Sequence, residues 1–205
     1  TIRTVGGVQN MDTMIRNRIL SGELQGPRIL ASNMAISVPD GHMAGTLAYI
    51  AESQEQTRAY VQQIAQDKPD LIKLMVTGGV LDAKVKGEPG ELRMPAAYVQ
   101  AACAEAHRLG LKVAAHVESP QGVQVALENG VDTIEHGAQP NEQILKLFQQ
   151  RQASFIATIS PSIPFVYFDP AVSHISELEQ YNGAIVFQGV IACAKSCMAQ
   201  SIPVG

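Results

Sequence analysis

The stretch 71-LIKLMVTGG-79 is an apolar run closed by two glycines, with Lys73 inside it. A short apolar run bounded by turn residues suits a strand buried on both faces, as in a parallel sheet covered by helices. A free ammonium is a costly occupant of such a strand, because burial of an unpaired charge forfeits its hydration. Whatever fold and chemistry the chain has must account for Lys73.

Outward from this strand, short apolar runs alternate with amphipathic stretches. Strands are expected at 2-IRTVGG-7, 28-RILASN-33, 71-LIKLMV-76, 112-KVAAHV-117, 132-DTIEHG-137, 154-SFIATIS-160 and 202-IPVG-205. Helices are expected at about 11–20, 54–66, 95–109, 120–129, 141–151 and 178–199. In the third of these, Pro95 suits a first helical turn, and Val99, Ala102, Cys103 and Ala106 recur at helical spacing. Gly110 follows where a helix end favours a left-handed residue.

Such alternation demands crossover connections and hence a parallel sheet. An open doubly wound sheet competes with a closed (β/α)8 TIM barrel. The open sheet that binds nucleotides carries a glycine-rich first turn, and 5-VGGV-8 is too short for GxGxxG. A barrel sets its chemistry at the C-terminal ends of several strands. That is how the polar residues of this chain are distributed, so the expected class is an α/β TIM barrel.

With 205 residues, 46% hydrophobic and 17% charged, the chain can bury a substantial core in one domain. A net charge of -4 and the lack of any basic run argue against a nucleic-acid partner. No apolar stretch is expected to reach the roughly 20 residues of a spanning helix, so no membrane partner is expected. Cys103, Cys193 and Cys197 form no disulfide framework. Cys193 and Cys197, one helical turn apart, could offer a metal pair but read more simply as small core residues. The start at Thr1 and the stop at 202-IPVG-205 both read as cuts through strands. No signal peptide is recognisable, so the cytoplasm is the expected location, with secretion left open.

Three polar residues intrude on consecutive strands: Lys73 in LIKLMV, His116 in VAAHV and His136 in TIEHG. Alternation lets Lys73 share a face with Leu71 and Met75, and His116 with Ala114. A lone strand histidine is most often a core or rim residue, and a strand lysine can snorkel out of a barrel mouth. Three such coincidences on successive strands favour a site. Burial lowers a lysine pKa and makes a nucleophilic amine, which could form a Schiff base with a carbonyl. The same amine could take up carbon dioxide and become a carbamate bridging two divalent metals. The two histidines favour the second answer, since imidazole is the commonest protein ligand for zinc.

Taken together, IKLMVTGG, EAHRLGLKVAAHVESP and ALENGVDTIEHG resemble the amidohydrolase superfamily. The nearest branch is that of imidazolonepropionase-like enzymes, Xaa-Pro dipeptidases and metal carboxypeptidases. The resemblance implies that Lys73 is the carboxylated bridging lysine of that family's fourth barrel strand. His116 and His136 would be metal ligands at the ends of its fifth and sixth strands. It implies two divalent metal ions, with zinc the expected metal, and carbon dioxide held as N-carboxylysine. The implied reaction is hydrolysis of an amide or peptide-like C–N bond in a small-molecule or dipeptide-like substrate.

That family also carries an HxH pair on strand one and a metal-binding aspartate at the end of strand eight. Neither can be placed in this sequence. Residues 1–205 therefore read as strands two to seven of a barrel and the start of strand eight, without the small β-domain. Turnover by this stretch alone is not expected, and a lysine Schiff-base enzyme and a non-catalytic barrel fragment stand as alternatives. A homo-oligomer is compatible with the sequence.

Two positions bear on substrate. Glu118 lies two residues after His116 on the same strand face, where an anionic side chain could favour a positively charged substrate. His42, in 40-DGHMAG-45, resembles a loop histidine of this branch and is a candidate for facing the substrate. His107 and His174 read as surface residues. Gly78 and Gly79 read as a tight turn that leaves the mouth open, since no lysine or hydroxyl stands at P-loop spacing. The charged 81-LDAKVKGEPGEL-92 suits a mobile loop over the site, and 161-PSIPFVYFDP-170 suits a pocket lining.

Overall fold

The computed structural model describes residues 1–205, the side chain of Pro170 excepted. In chain order the elements are β1 (Ile2–Arg3), α1 (Met11–Leu20), β2 (Ile29–Leu30), β3 (Ala35–Ser37), β4 (Ala48–Ile50), α2 (Gln54–Ala65), β5 (Leu71–Met75) and α3 (Ala96–Arg108). They continue with β6 (Lys112–Val117), α4 (Pro120–Glu128), β7 (Thr133–His136), α5 (Glu142–Arg151), β8 (Ser154–Ile156), α6 (Pro164–Tyr167), α7 (Pro170–Ser173) and α8 (Glu177–Ala199).

Every strand pairing is parallel, in a six-stranded sheet of order β4-β3-β5-β6-β7-β8 and a separate β1-β2 pair. Backbone bonds extend the wall beyond these named strands. Asp70 N–H donates to Ala31 O at 2.7 Å, joining the end of β2 to the start of β5. Val204 bridges Phe155 in parallel, adding the beginning of one more strand beside β8. The strands expected from the sequence thus stand side by side in chain order, as in a partial (β/α)8 barrel.

Both faces of the wall are buried, and differently. Ile72, Leu74, Val113, Ala115, Val117, Ile134 and Phe155 pack outward into one core with Val61, Val99, Leu127, Ile144 and Phe148 of the helices. The inner face carries Lys73, Met75, Ala114, His116 and Glu135, all 5% exposed or less. Helix starts are set locally. Ser53, Ser119 and Asn141 accept N-terminal backbone N–H groups of α2, α4 and α5, and Ser176 with Glu179 forms a capping box on α8.

Helix α8 corrects one expectation. At 23 residues it is long and apolar enough, by length and composition, to cross a membrane. Here its buried stripe of Val186, Val190, Cys193 and Cys197 lies in the barrel's outer core. The two cysteines lie 3.9 Å apart at their sulfurs, both fully buried, as small core residues would be.

Candidate active site

The site grows from the register of β5, β6 and β7. Lys73 pairs with Ala114, Met75 with His116, His116 with Glu135, and Val117 with His136. Paired residues of a parallel sheet share a face, so Lys73, Ala114, His116 and Glu135 all point inward. His136 is out of phase, because its partner Val117 faces the helices. The backbone resolves this by turning left-handed at His136 (φ 70°) and again at Gly137 (φ 75°). That turn brings the His136 ring to 4.7 Å from His116, edge to face at 67°. Gly137 is required there twice over, for its positive φ and because a Cβ would lie 2.4 Å from the Phe155 ring.

A third imidazole joins from the loop between β3 and β4. His42 stacks on His116 with centroids 4.1 Å apart and planes 8° from parallel, and its Nδ1 is bonded to the Asp82 carboxylate. Gly79 serves this packing: a Cβ would lie 3.2–3.3 Å from the rings of His42 and His116. Its role is thus room for the stacked imidazoles, a tighter requirement than an open turn.

Lys73 is 2% exposed, and its amine makes no hydrogen bond among the described residues. Burial pushes its pKa down to about 7; nearby Glu135 and Glu118 pull upward, and Arg3 adds to the depression. Glu135 does not pair with Lys73 because it is already taken. Arg3 Nη2 donates to both its oxygens, at 2.7 and 2.8 Å, and the Thr133 hydroxyl donates to one at 2.9 Å.

Both site histidines are held neutral. Burial, then the neighbouring His136, His42 and Lys73, drive His116 well below the usual imidazole range. Burial, then Lys73 and His42, lower His136 to about 3. His116 Nε2–H donates to Gly78 O at 3.1 Å, and His136 Nδ1 is bonded to the Thr158 hydroxyl. Burial pushes Glu118 up to about 7, against the Val80 N–H that its Oε2 accepts at 2.9 Å.

These side chains line a cavity of about 220 Å³ with His42, His116, Glu118, His136, Thr158 and Phe165 on its walls. Phe165, from the proline- and aromatic-rich segment after β8, supplies part of its apolar lining. Glu118 also borders a second cavity of about 430 Å³ beneath residues 87–92. The roof of that cavity is pinned: buried Asn182 of α8 accepts Gly87 N–H at 2.8 Å and donates to Val85 O at 3.0 Å. The expected mobile loop is therefore docked on α8 at its middle. His107 bonds Asp132 on the surface, and His174 is exposed, both apart from the site.

The donors present fit a divalent metal. Two neutral imidazoles each have one nitrogen tied to a neighbour, and a buried amine without partners lies beside them. An HxH pair and a strand-eight aspartate are not in these 205 residues. Sequence reasoning missed Arg3, Asp82, Glu135 and Thr158. Glu135 carried a signal, since alternation in TIEH sets it on the face of Thr133, inside the barrel. Arg3 carried none, because its partner is remote in sequence.

Comparison with known proteins agrees with this architecture. Over its full length the chain superposes on half of a Bifidobacterium longum protein provisionally named a prolidase, with 32% identity and a TM-score of 0.89. A Xaa-Pro dipeptidase with methionine bound in its active site is 26% identical, with 99% of this chain on 53% of that one and a TM-score of 0.87. Ochratoxinase from Aspergillus niger is 24% identical over 171 residues, 71% of this chain and 35% of that protein. The chain thus spans about a third of the curated relative and half of the similar structures. Residues 1–146 match the amidohydrolase family, and the chain belongs to it.

Proposed function

We propose that the protein is a metal-dependent hydrolase of amide or peptide-like C–N bonds, with Lys73 carboxylated and holding metal together with His116 and His136. The observation that carries this reading is the Lys73 amine: buried, without a hydrogen-bond partner, and lowered to about 7 beside two neutral imidazoles. A carboxylate paired to Lys73 would hold it as an ammonium, and Arg3 keeps Glu135 from that role. The free Nζ lone pair can bond to the carbon of carbon dioxide and release one proton, giving a carbamate with two ligand oxygens. Two divalent ions, zinc the expected metal, would supply water activation and polarise the scissile carbonyl.

The chain's own groups do the rest. Gly78 O and Thr158 orient the two histidines, and Asp82 fixes the Nδ1 side of His42 against the cavity wall. Phe165 and the stacked imidazoles form part of the cavity wall around the reacting bond. His42 is the candidate for touching substrate, and Glu118 lines the same cavity. The likeness to a Xaa-Pro dipeptidase supports a dipeptide-like substrate.

Metal analysis of the full-length protein should find about two divalent ions per chain, and Lys73→Ala should remove activity and the bridged ion. Full activity in rigorously metal-free protein contradicts the reading. The same depressed Lys73 pKa also suits a Schiff base. Borohydride in the presence of a carbonyl substrate would then leave a covalent adduct at Lys73, and the metal-bridge reading expects none.

A further inference from the structure

His116, Glu118 and His136 meet at the cavity with their ligating atoms all within 4.8 Å of one another. His116 and Glu118 are two residues apart along β6 and its extension, so alternation puts both on the inner face. The left-handed backbone at His136 adds the third donor from β7.

Each of the three residues also has one polar atom tied by a group outside the cluster. Because a carbonyl only accepts, the His116 bond to Gly78 O places the proton on Nε2 and leaves the Nδ1 lone pair free. Thr158 holds His136 Nδ1 and leaves Nε2. Val80 N–H holds Glu118 Oε2 at 2.9 Å and leaves Oε1. An orienting hydrogen bond behind every ligand is the mark of a built metal site, because it fixes tautomer and ring direction before the ion arrives. Donors about 2.0–2.1 Å from a tetrahedral zinc stand roughly 3.3 Å apart, so rotations of about an ångström close the set.

We infer that His116, Glu118 and His136 form a divalent-metal site belonging wholly to this chain, with Glu118 as the third protein ligand. It fills without carboxylation of Lys73 and without any ligand from the family's first or eighth strand. Only the catalytic use of that ion rests on the hydrolase reading. Glu118 then acts on the metal side of the site, and a carboxylate so committed does not select a cationic substrate.

The test is a titration of the metal-stripped chain with cobalt(II) and zinc(II) in buffer freed of carbon dioxide, read by calorimetry and cobalt absorption. One ion per chain is expected, with unchanged affinity in Lys73→Ala and affinity lowered at least about 10-fold in Glu118→Gln. Val80→Pro, which removes the N–H that orients Glu118, serves if Glu118→Gln loses the parent circular dichroism; it should weaken binding about 10-fold. The inference is overturned by parent-like affinity in the folded variant, by loss of the ion in Lys73→Ala, or by no uptake in the folded parent. Bicarbonate is added last. A second ion that requires Lys73 then supports the bridged centre, and its absence counts against that centre while the three-donor site stands.

Discussion

Lys73 destabilises the fold that contains it. An amine buried in an apolar wall with its nearest carboxylate engaged elsewhere gains little from folding, and its pKa of about 7 expresses that strain. Lys73→Met should therefore stabilise the metal-free protein by about 2 kcal/mol in chemical denaturation while abolishing activity. The histidines set an acid limit. Unfolded imidazoles take up protons near pH 6.5, whereas His136 resists to about 3. The unfolded chain binds more protons between those values, so metal-free stability should fall as pH drops through that window. His136→Gln should flatten that slope in denaturation followed across the same range. Lys73 and His116 were legible in the sequence because polar atoms in doubly buried strands need a reason. The Arg3–Glu135 pair was not, since nothing local to either residue announces a contact across the barrel.

Among the elements, β7 carries the most information about how the site is made. Its first three residues obey alternation, and its last departs from it. Sequence periodicity placed a histidine at the strand end but could not say that a left-handed turn redirects its ring. Gly137→Ala should cost about 2 kcal/mol or more in thermal unfolding and displace His136, because strain at positive φ adds to contact with Phe155. The long helices and the buried strands were readable from period and caps. Strands β3 and β4, each three residues long, were not, because AIS and AYI are too short to show a period. The 85–87 segment reads as loop from its charge and glycine, yet its docking depends on one buried amide of α8. Asn182→Ala should raise proteolytic cleavage between residues 81 and 92, with a stability loss of about 2 kcal/mol.

At the scale of the molecule, the chain is a curved wall of parallel strands that carries one histidine cluster at its mouth. Within the described residues, β1 and the bridge at Val204 each have a single neighbour in the wall. The outer faces of β5 to β7 are closed by helices, and on the inner face Arg3 of β1 reaches across to Glu135 of β7. Lys73, His116 and His136 converge because β5, β6 and β7 are adjacent and in register. On the proposed function Lys73 serves as a carbamate. That role is tested most directly by a crystal structure of the full-length, metal-loaded protein grown with bicarbonate, read at Lys73 Nζ. A branched, three-atom extension of the side chain flanked by two ions is the predicted density. An unbranched amine, with both ions present and held by other residues, would contradict it.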